Sequence, residues 1–176
     1  NLGNAYADLG ETRKAIEYYE QQLKIAHEIG DRRGEGNALG NLGVAYFNLG
    51  ETRQAIEYYE QRIKIAREIG DRRGEGNALG NLGNAYADLG ETRKAIEYHE
   101  KYLNIAREIG DRRGENTALW NLALAFDKLD DRAKAIEYAE VSLKIHEEIE
   151  DPFADKVRKQ LAKWKKPKQW WEFWKH

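Results

Sequence analysis

The sequence has no cysteine, no methionine and only two prolines in 176 residues. Without cysteine, neither disulfide staples nor thiolate metal sites can form, which fits a reducing compartment. No apolar run approaches the roughly 18 to 20 residues of a membrane-spanning helix, and no segment reads as a signal peptide. The expectation is therefore a cytoplasmic protein. No stretch alternates β-branched residues with polar ones, so no strands are predicted. The phosphate-loop pattern G-x-x-x-x-G-K-[ST] and the nucleophile pattern G-x-S-x-G are both missing. The histidines are His27, His99, His146 and His176, and none stands four residues from another as a metal pair would. These absences predict no cofactor, no metal and no enzymatic activity. The lack of methionine, with an opening on Asn1 in mid-pattern, predicts a fragment of a longer chain.

Charge is present but unevenly placed. Residues 156–176 carry eight Lys/Arg and one acid, and the rest of the chain carries 21 Lys/Arg and 30 Asp/Glu, for the overall −2. An acidic body argues against nucleic acid as a partner. The basic end suits an acidic partner, a membrane surface or the body itself.

The dominant feature is an internal repeat. Residues 1–40 recur at 41–80 with 33 of 40 positions identical and at 81–120 with 32 identical to the first, and a diverged copy runs from Asn121 to about Glu150. Each unit reads as two helices. Leu39, Leu42, Gly43 and Tyr46 mark the first, and Ala55, Ile56, Tyr59, Ile63, Ala66 and Ile69 mark the second, both at helical spacings. Gly50 and Gly70 are helix stops. Asp31, Asp71 and Asp111 can each cap the helix that follows. Neither helix can bury its apolar stripe alone, so hairpins must stack on one another. Gly3, Gly43, Gly83 and Ala123 occupy one position of the unit. Glycine inside a helix costs about 1 kcal/mol relative to alanine, so its retention implies close packing, and Gly43→Leu is expected to force the hairpin apart.

These residues resemble the tetratricopeptide repeat family, whose pattern is a large apolar residue, Leu-Gly, Tyr, Ala and an aromatic. Here it reads Leu39, Leu42–Gly43, Tyr46, Ala55, Tyr59. The third unit has His99 in the aromatic slot, and the fourth has Ala139 there. The unit is 40 residues rather than the usual 34, and it carries Gln22, Arg62, Tyr102 and Ser142 where the family has a small alanine. This longer form is similar to the repeats of kinesin light chains, of spindle adaptors with Leu-Gly-Asn repeats, and of bacterial arrays. The resemblance implies an all-α fold, a right-handed superhelical solenoid of antiparallel helix pairs. The units are expected at 1–33 (partial), 34–73, 74–113 and 114–150, with a capping helix at 151–166 and a tail at 167–176.

The resemblance also implies a protein-interaction scaffold that holds an extended peptide in a concave groove lined by the first helices. In that subclass asparagines clamp the peptide backbone. The matching positions are Asn41, Asn81 and Asn121, with Asn4 and Asn84, and with Asn37 and Asn77 one turn earlier; Val44, Leu124 and Thr117 interrupt the rows. An Asn side chain both donates and accepts, so it can pair with a peptide N–H and C=O together. The same asparagines could instead bond neighbouring helices or water. Arg33, Arg73 and Arg113 read either as a row for acidic groups on a peptide or as partners in ion pairs between repeats. Asn77 and Asn81 stand where chaperone-tail binders of the family carry Lys and Arg, which argues against a carboxylate clamp of that kind.

Asp151–Pro152 reads as an N-cap and first helical residue. Phe153, Val157, Leu161 and Trp164 then follow at spacings of 4, 4 and 3, as a capping helix requires. Pro167 is expected to stop it. The tail beyond carries Trp170, Trp171, Phe173 and Trp174 between lysines, too many aromatics for the repeat core. It could fold back on the cap, touch a membrane interface, occupy a groove of its own or of a second copy, or be a cloning remnant. Self-association or membrane tethering through this tail is the alternative to the peptide-binding reading.

Overall fold

The computed structural model describes residues 2–166. Trp170, Trp171, Phe173 and Trp174, together with Pro167, lie outside the described residues, so the contacts expected of the tail are not addressed. Among the described residues there are nine helices and no strand. The first is short, α1 (Leu2–Asp8). Seven helices of 17 residues follow: α2 (Thr12–Glu28), α3 (Arg32–Asn48), α4 (Thr52–Glu68), α5 (Arg72–Asp88), α6 (Thr92–Glu108), α7 (Arg112–Lys128) and α8 (Arg132–Glu148). The last is α9 (Ala154–Trp164).

Three residues join each helix to the next from α1 to α8 and five join α8 to α9, and the second of each linker adopts a left-handed conformation. At Gly50, φ is +78°, and the turn closes by Gly50 N–H to Phe47 O and Glu51 N–H to Tyr46 O, both at 2.9 Å. These bonds satisfy the last carbonyls of α3 in the Schellman manner. In the fourth hairpin Asp130 and Glu150 take this place at φ +60° and +53°, a conformation that strains a side-chain-bearing residue. The expected caps form: Asp31, Asp71 and Asp111 each accept from the backbone N–H of Gly34, Gly74 and Gly114 at 2.9 Å.

Each helix packs against the one before and the one after, so the core runs along the array. Leu39, Leu42, Leu79, Leu82, Leu119 and Leu122 are at most 2% exposed. The conserved-size position of the unit has a direct geometric cause. A Cβ at Gly43 would stand 2.6 Å from Cδ1 of Tyr59, and one at Gly83 would stand 2.6 Å from Nδ1 of His99. Real side chains do not approach so closely, so the second helix can lay its aromatic slot on the first only where the first has no side chain. Ala123 is admitted because its partner is Ala139.

The same exchange of volume explains the departures at Arg62, Tyr102 and Ser142. The Arg62 guanidinium donates to Gly36 O at 2.6 Å, and a Cβ at Gly40 would meet its Cδ at 3.0 Å. Tyr102 lies on Gly80 and Gly76 in the same way. Where the second helix has the small Ser142, the first helix carries Asn116 and Trp120 instead, and Ser142 Oγ donates to Asn116 Oδ1 at 2.6 Å. The family's small residue has moved to the opposite helix.

Val157, Leu161 and Trp164 of α9 are buried, and Trp120 packs between Phe153 and Trp164 with ring centroids 5.8 and 6.1 Å away. The expected start of this helix is corrected. Pro152 lies in a turn, Asp151 Oδ1 accepts from Phe153 N–H at 2.9 Å, and the helix begins at Ala154. Asp151 instead closes the end of α8: its N–H donates to His146 O at 2.9 Å and its Oδ2 lies 3.1 Å from His146 Nδ1. Its carboxylate takes the N–H two residues on, whereas Asp31, Asp71 and Asp111 each take the N–H three residues on, so the turn at Pro152 intervenes before the helix starts.

Candidate functional site

The first helices form one row. α3 touches α5, and α5 touches α7, across the intervening second helices. Along α3, positions 33, 37, 41, 44 and 48 fall at spacings of 4, 4, 3 and 4, one stripe of a helix. The equivalent positions of α5 and α7 continue it. The stripe is open: Arg33, Arg73 and Arg113 are exposed, as are Asn37, Asn77 and Asn84, while Asn41, Asn81 and Asn121 are half-buried along its floor. Val44 and Leu124 add apolar surface, 42% and 38% exposed.

The asparagines divide by what they bond. Asn4 accepts from the Tyr19 hydroxyl at 2.9 Å, and Asn121 Nδ2 donates to Asn84 Oδ1 at 3.2 Å. Thr117, which interrupts the outer row, turns its hydroxyl back to Arg113 O in its own helix at 3.0 Å. Among the described residues Asn37, Asn41, Asn77 and Asn81 take no hydrogen bond from side chain or backbone through their amides, so these four leave donor and acceptor free on the stripe.

Ion pairing between repeats exists, but it falls on the neighbouring arginines. Arg72 bonds Glu75 of its own helix and Glu108 of α6, while Arg67 Nε from α4 reaches Glu75 at 2.7 Å. Arg112, Glu115, Glu148 and Arg107 repeat the arrangement. Arg32 pairs with Glu35 and Glu68. These chains hold the carboxylates of Glu75 and Glu115, which are almost wholly buried. Among the described residues Arg33, Arg73 and Arg113 enter no ion pair, because they sit one residue further round the helix, on the stripe.

Three features were not anticipated from the sequence. Tyr6 stacks on Tyr18, Tyr46 on Tyr58, Tyr86 on Tyr98 and Phe126 on Tyr138, at centroid distances of 5.2 to 5.4 Å. The signal was the tyrosine immediately before each aromatic slot, Tyr18, Tyr58, Tyr98 and Tyr138, which the slot pattern ignores. The second feature is the arginine–glutamate chain above. The third surrounds His99, which is 2% exposed, has no hydrogen-bond partner at Nδ1, and is held by burial at a pKa of about 4. Burial likewise pushes the Tyr59 phenol, its counterpart in the second hairpin, up to about 12.

A tetratricopeptide repeat model matches residues 1–68 and 69–148. The chain belongs to the tetratricopeptide repeat family. A human relative, G-protein-signaling modulator 1, is 52% identical over 40 residues, a match that covers 23% of this chain and 6% of the relative. The chain thus spans a small fraction of that protein. Among solved structures, a kinesin light chain of Podosopora anserina with nearly identical tetratricopeptide-like repeats superposes with a TM-score of 0.76 at 21% identity, covering 93% of this chain and 82% of that one. A Rap protein complexed with competence and sporulation factor superposes with a TM-score of 0.74 at 18% identity, covering 92% and 46%. These likenesses establish the fold as the right-handed tetratricopeptide solenoid of stacked helix pairs. Among the described residues no helix is long and apolar enough to cross a membrane, and no group of metal-ligating side chains comes together.

Proposed function

We propose that this tetratricopeptide array binds an extended peptide segment of a partner protein along the inner row of first helices, with Asn37, Asn41, Asn77 and Asn81 pairing with the peptide backbone. The observation that carries the reading is that these four amides are accessible and unpaired along one stripe of two adjacent helices. An amide in that position offers both halves of a peptide-group hydrogen-bond pair. Asparagine is a mediocre helix former, so its recurrence on one face is favoured by something outside the helix. Asn84 and Asn121, bonded to one another, would continue the row after exchanging that bond for the peptide's. Arg33, Arg73 and Arg113 stand at one edge of the stripe without a close ion pair and would meet acidic groups on the ligand. The Rap protein was solved with a bound factor, which supports ligand binding on this fold without assigning a ligand to this chain.

The test is a selection of extended peptides displayed against the array, followed by titration of a selected peptide. Each backbone-pairing hydrogen bond contributes about 0.5–1.5 kcal/mol. Asn41→Ala with Asn81→Ala should therefore weaken binding roughly ten- to a hundredfold, while Glu57→Ala with Glu97→Ala on the second helices leaves it unchanged. Equal affinity in both double variants would dismiss the groove.

A further inference from the structure

Three residues, two of them breaks in the repeat, meet at one point. His99 stands where the first two hairpins have Tyr19 and Tyr59. Asn84 stands where the first has Asn4 and the second has Val44. Lys128 stands where the preceding first helix has Asp88. Together with Thr92, Asn121 and Leu124 they line a cavity of about 210 Å³ between α5, α6 and α7.

The cavity follows from these substitutions. In the first hairpin the Tyr19 phenol reaches past Gly3 to Asn4. The His99 imidazole lies on Gly83 in the same way but is shorter, so it leaves the space of a phenol tip unfilled, and Asn84 turns its oxygen to Asn121. On the opposite wall, the buried Thr52 hydroxyl donates to Asp88 at 2.8 Å. Its counterpart Thr92 has only a 3.5 Å approach to Gly90 O, and the carboxylate that should receive it has become Lys128. Among the described residues Lys128 enters no ion pair. The polar lining is thereby rich in donors: the Lys128 ammonium, the Thr92 hydroxyl and Nδ2 of Asn84, whose oxygen is already engaged. No carboxylate lines it. The space is the size of a small side chain, and Leu124 gives it an apolar rim.

We propose that this cavity is a side-chain pocket for a carboxylate, an Asp or Glu of the bound peptide, set beside the asparagine row. The proposal rests on the groove reading for its natural ligand. A carboxylate accepts only, and its oxygens match the converging donors. It supplies what the repeat lost at this position, the acid of the Thr–Asp pair, from outside the chain. Each charge-assisted bond to Lys128 or Thr92 gains from the partial exclusion of water by the His99 and Leu124 walls.

The experiment is a nuclear magnetic resonance titration of the whole chain with sodium propionate at pH 7 and constant ionic strength. Propionate has the end of a glutamate side chain, and propionamide is its neutral counterpart. Propionate should shift the amide signals of Thr92, Asn84 and Asn121 saturably, with at least fivefold smaller shifts for propionamide. His99→Tyr refills the space with the repeat's own residue, and Lys128→Ala removes the charge at an exposed site. Both should reduce the propionate shifts at least fivefold in a folded protein. Equal shifts with propionamide, no saturable shift, or shifts that persist in His99→Tyr would overturn the pocket. Because propionate needs no peptide, the pocket and the groove can fail separately.

Discussion

His99 should make the array sensitive to mild acid, and the size of the effect follows from its burial. An unfolded histidine titrates near 6.5, whereas in the fold burial holds His99 at about 4. Between those values the unfolded chain binds a proton that the folded chain refuses. Stability from this residue is therefore fully present above pH 6.5 and is lost as the pH falls toward 4. Each pH unit in the window costs about 1.4 kcal/mol, so acidification from 7 to 5 should remove roughly 2 kcal/mol. His99→Tyr abolishes the effect and restores the ring found on Gly3 and Gly43, with its hydroxyl placed to reach Asn84 as Tyr19 reaches Asn4. The assay is urea unfolding followed by circular dichroism, on both proteins at pH 7 and pH 5. The stability difference in favour of His99→Tyr should widen by about 2 kcal/mol at pH 5. Since all other groups are common to the two proteins, a difference that stays constant with pH would refute the burial argument.

Two further perturbations test the packing logic. Gly43→Ala should destabilise by about 1–3 kcal/mol as an overpacked core does. In the background of Tyr59→Ala, which recreates the Ala123–Ala139 pairing, the added methyl should cost much less; a double-mutant cycle in thermal unfolding that shows simple additivity would contradict the proposed contact. Glu150→Gly should raise stability by roughly 1 kcal/mol by relieving the left-handed strain at φ +53°, and an unchanged or lower melting temperature would show that the strain is offset locally.

The fold was legible because its determinants are local and repeated. Glycine stops, aspartate caps and the 3.6-residue apolar period each act within one helix or turn, so three copies of the same signal fix the hairpin. The stripe of asparagines was legible for the same reason. What escaped were the relations between helices. Arg32 and Arg33 are adjacent in sequence, yet only the first turns toward Glu68 of the following helix, and a rotation of 100° per residue decides which is paired and which is left on the stripe. The large Arg62 and Tyr102 looked like violations of a small-residue rule until Gly40 and Gly80 were found beneath them. The start of α9 was misread because Asp151 was taken as an N-cap, whereas its carboxylate accepts from the Phe153 N–H two residues on and Pro152 stays in a turn. The His99 pocket depends on Asn84, His99 and Lys128, 15 to 44 residues apart, none unusual alone, which converge only when adjacent hairpins stack.

Site-directed photocrosslinking tests the inner-row assignment most directly. A benzophenone amino acid is placed at Val44 or Leu124, which leaves every asparagine intact, and in separate proteins at Glu57 or Glu97 on the second helices. With a selected peptide bound, crosslinks should form from positions 44 and 124 and be competed by unlabelled peptide. Crosslinks that form only from 57 or 97 would contradict the account.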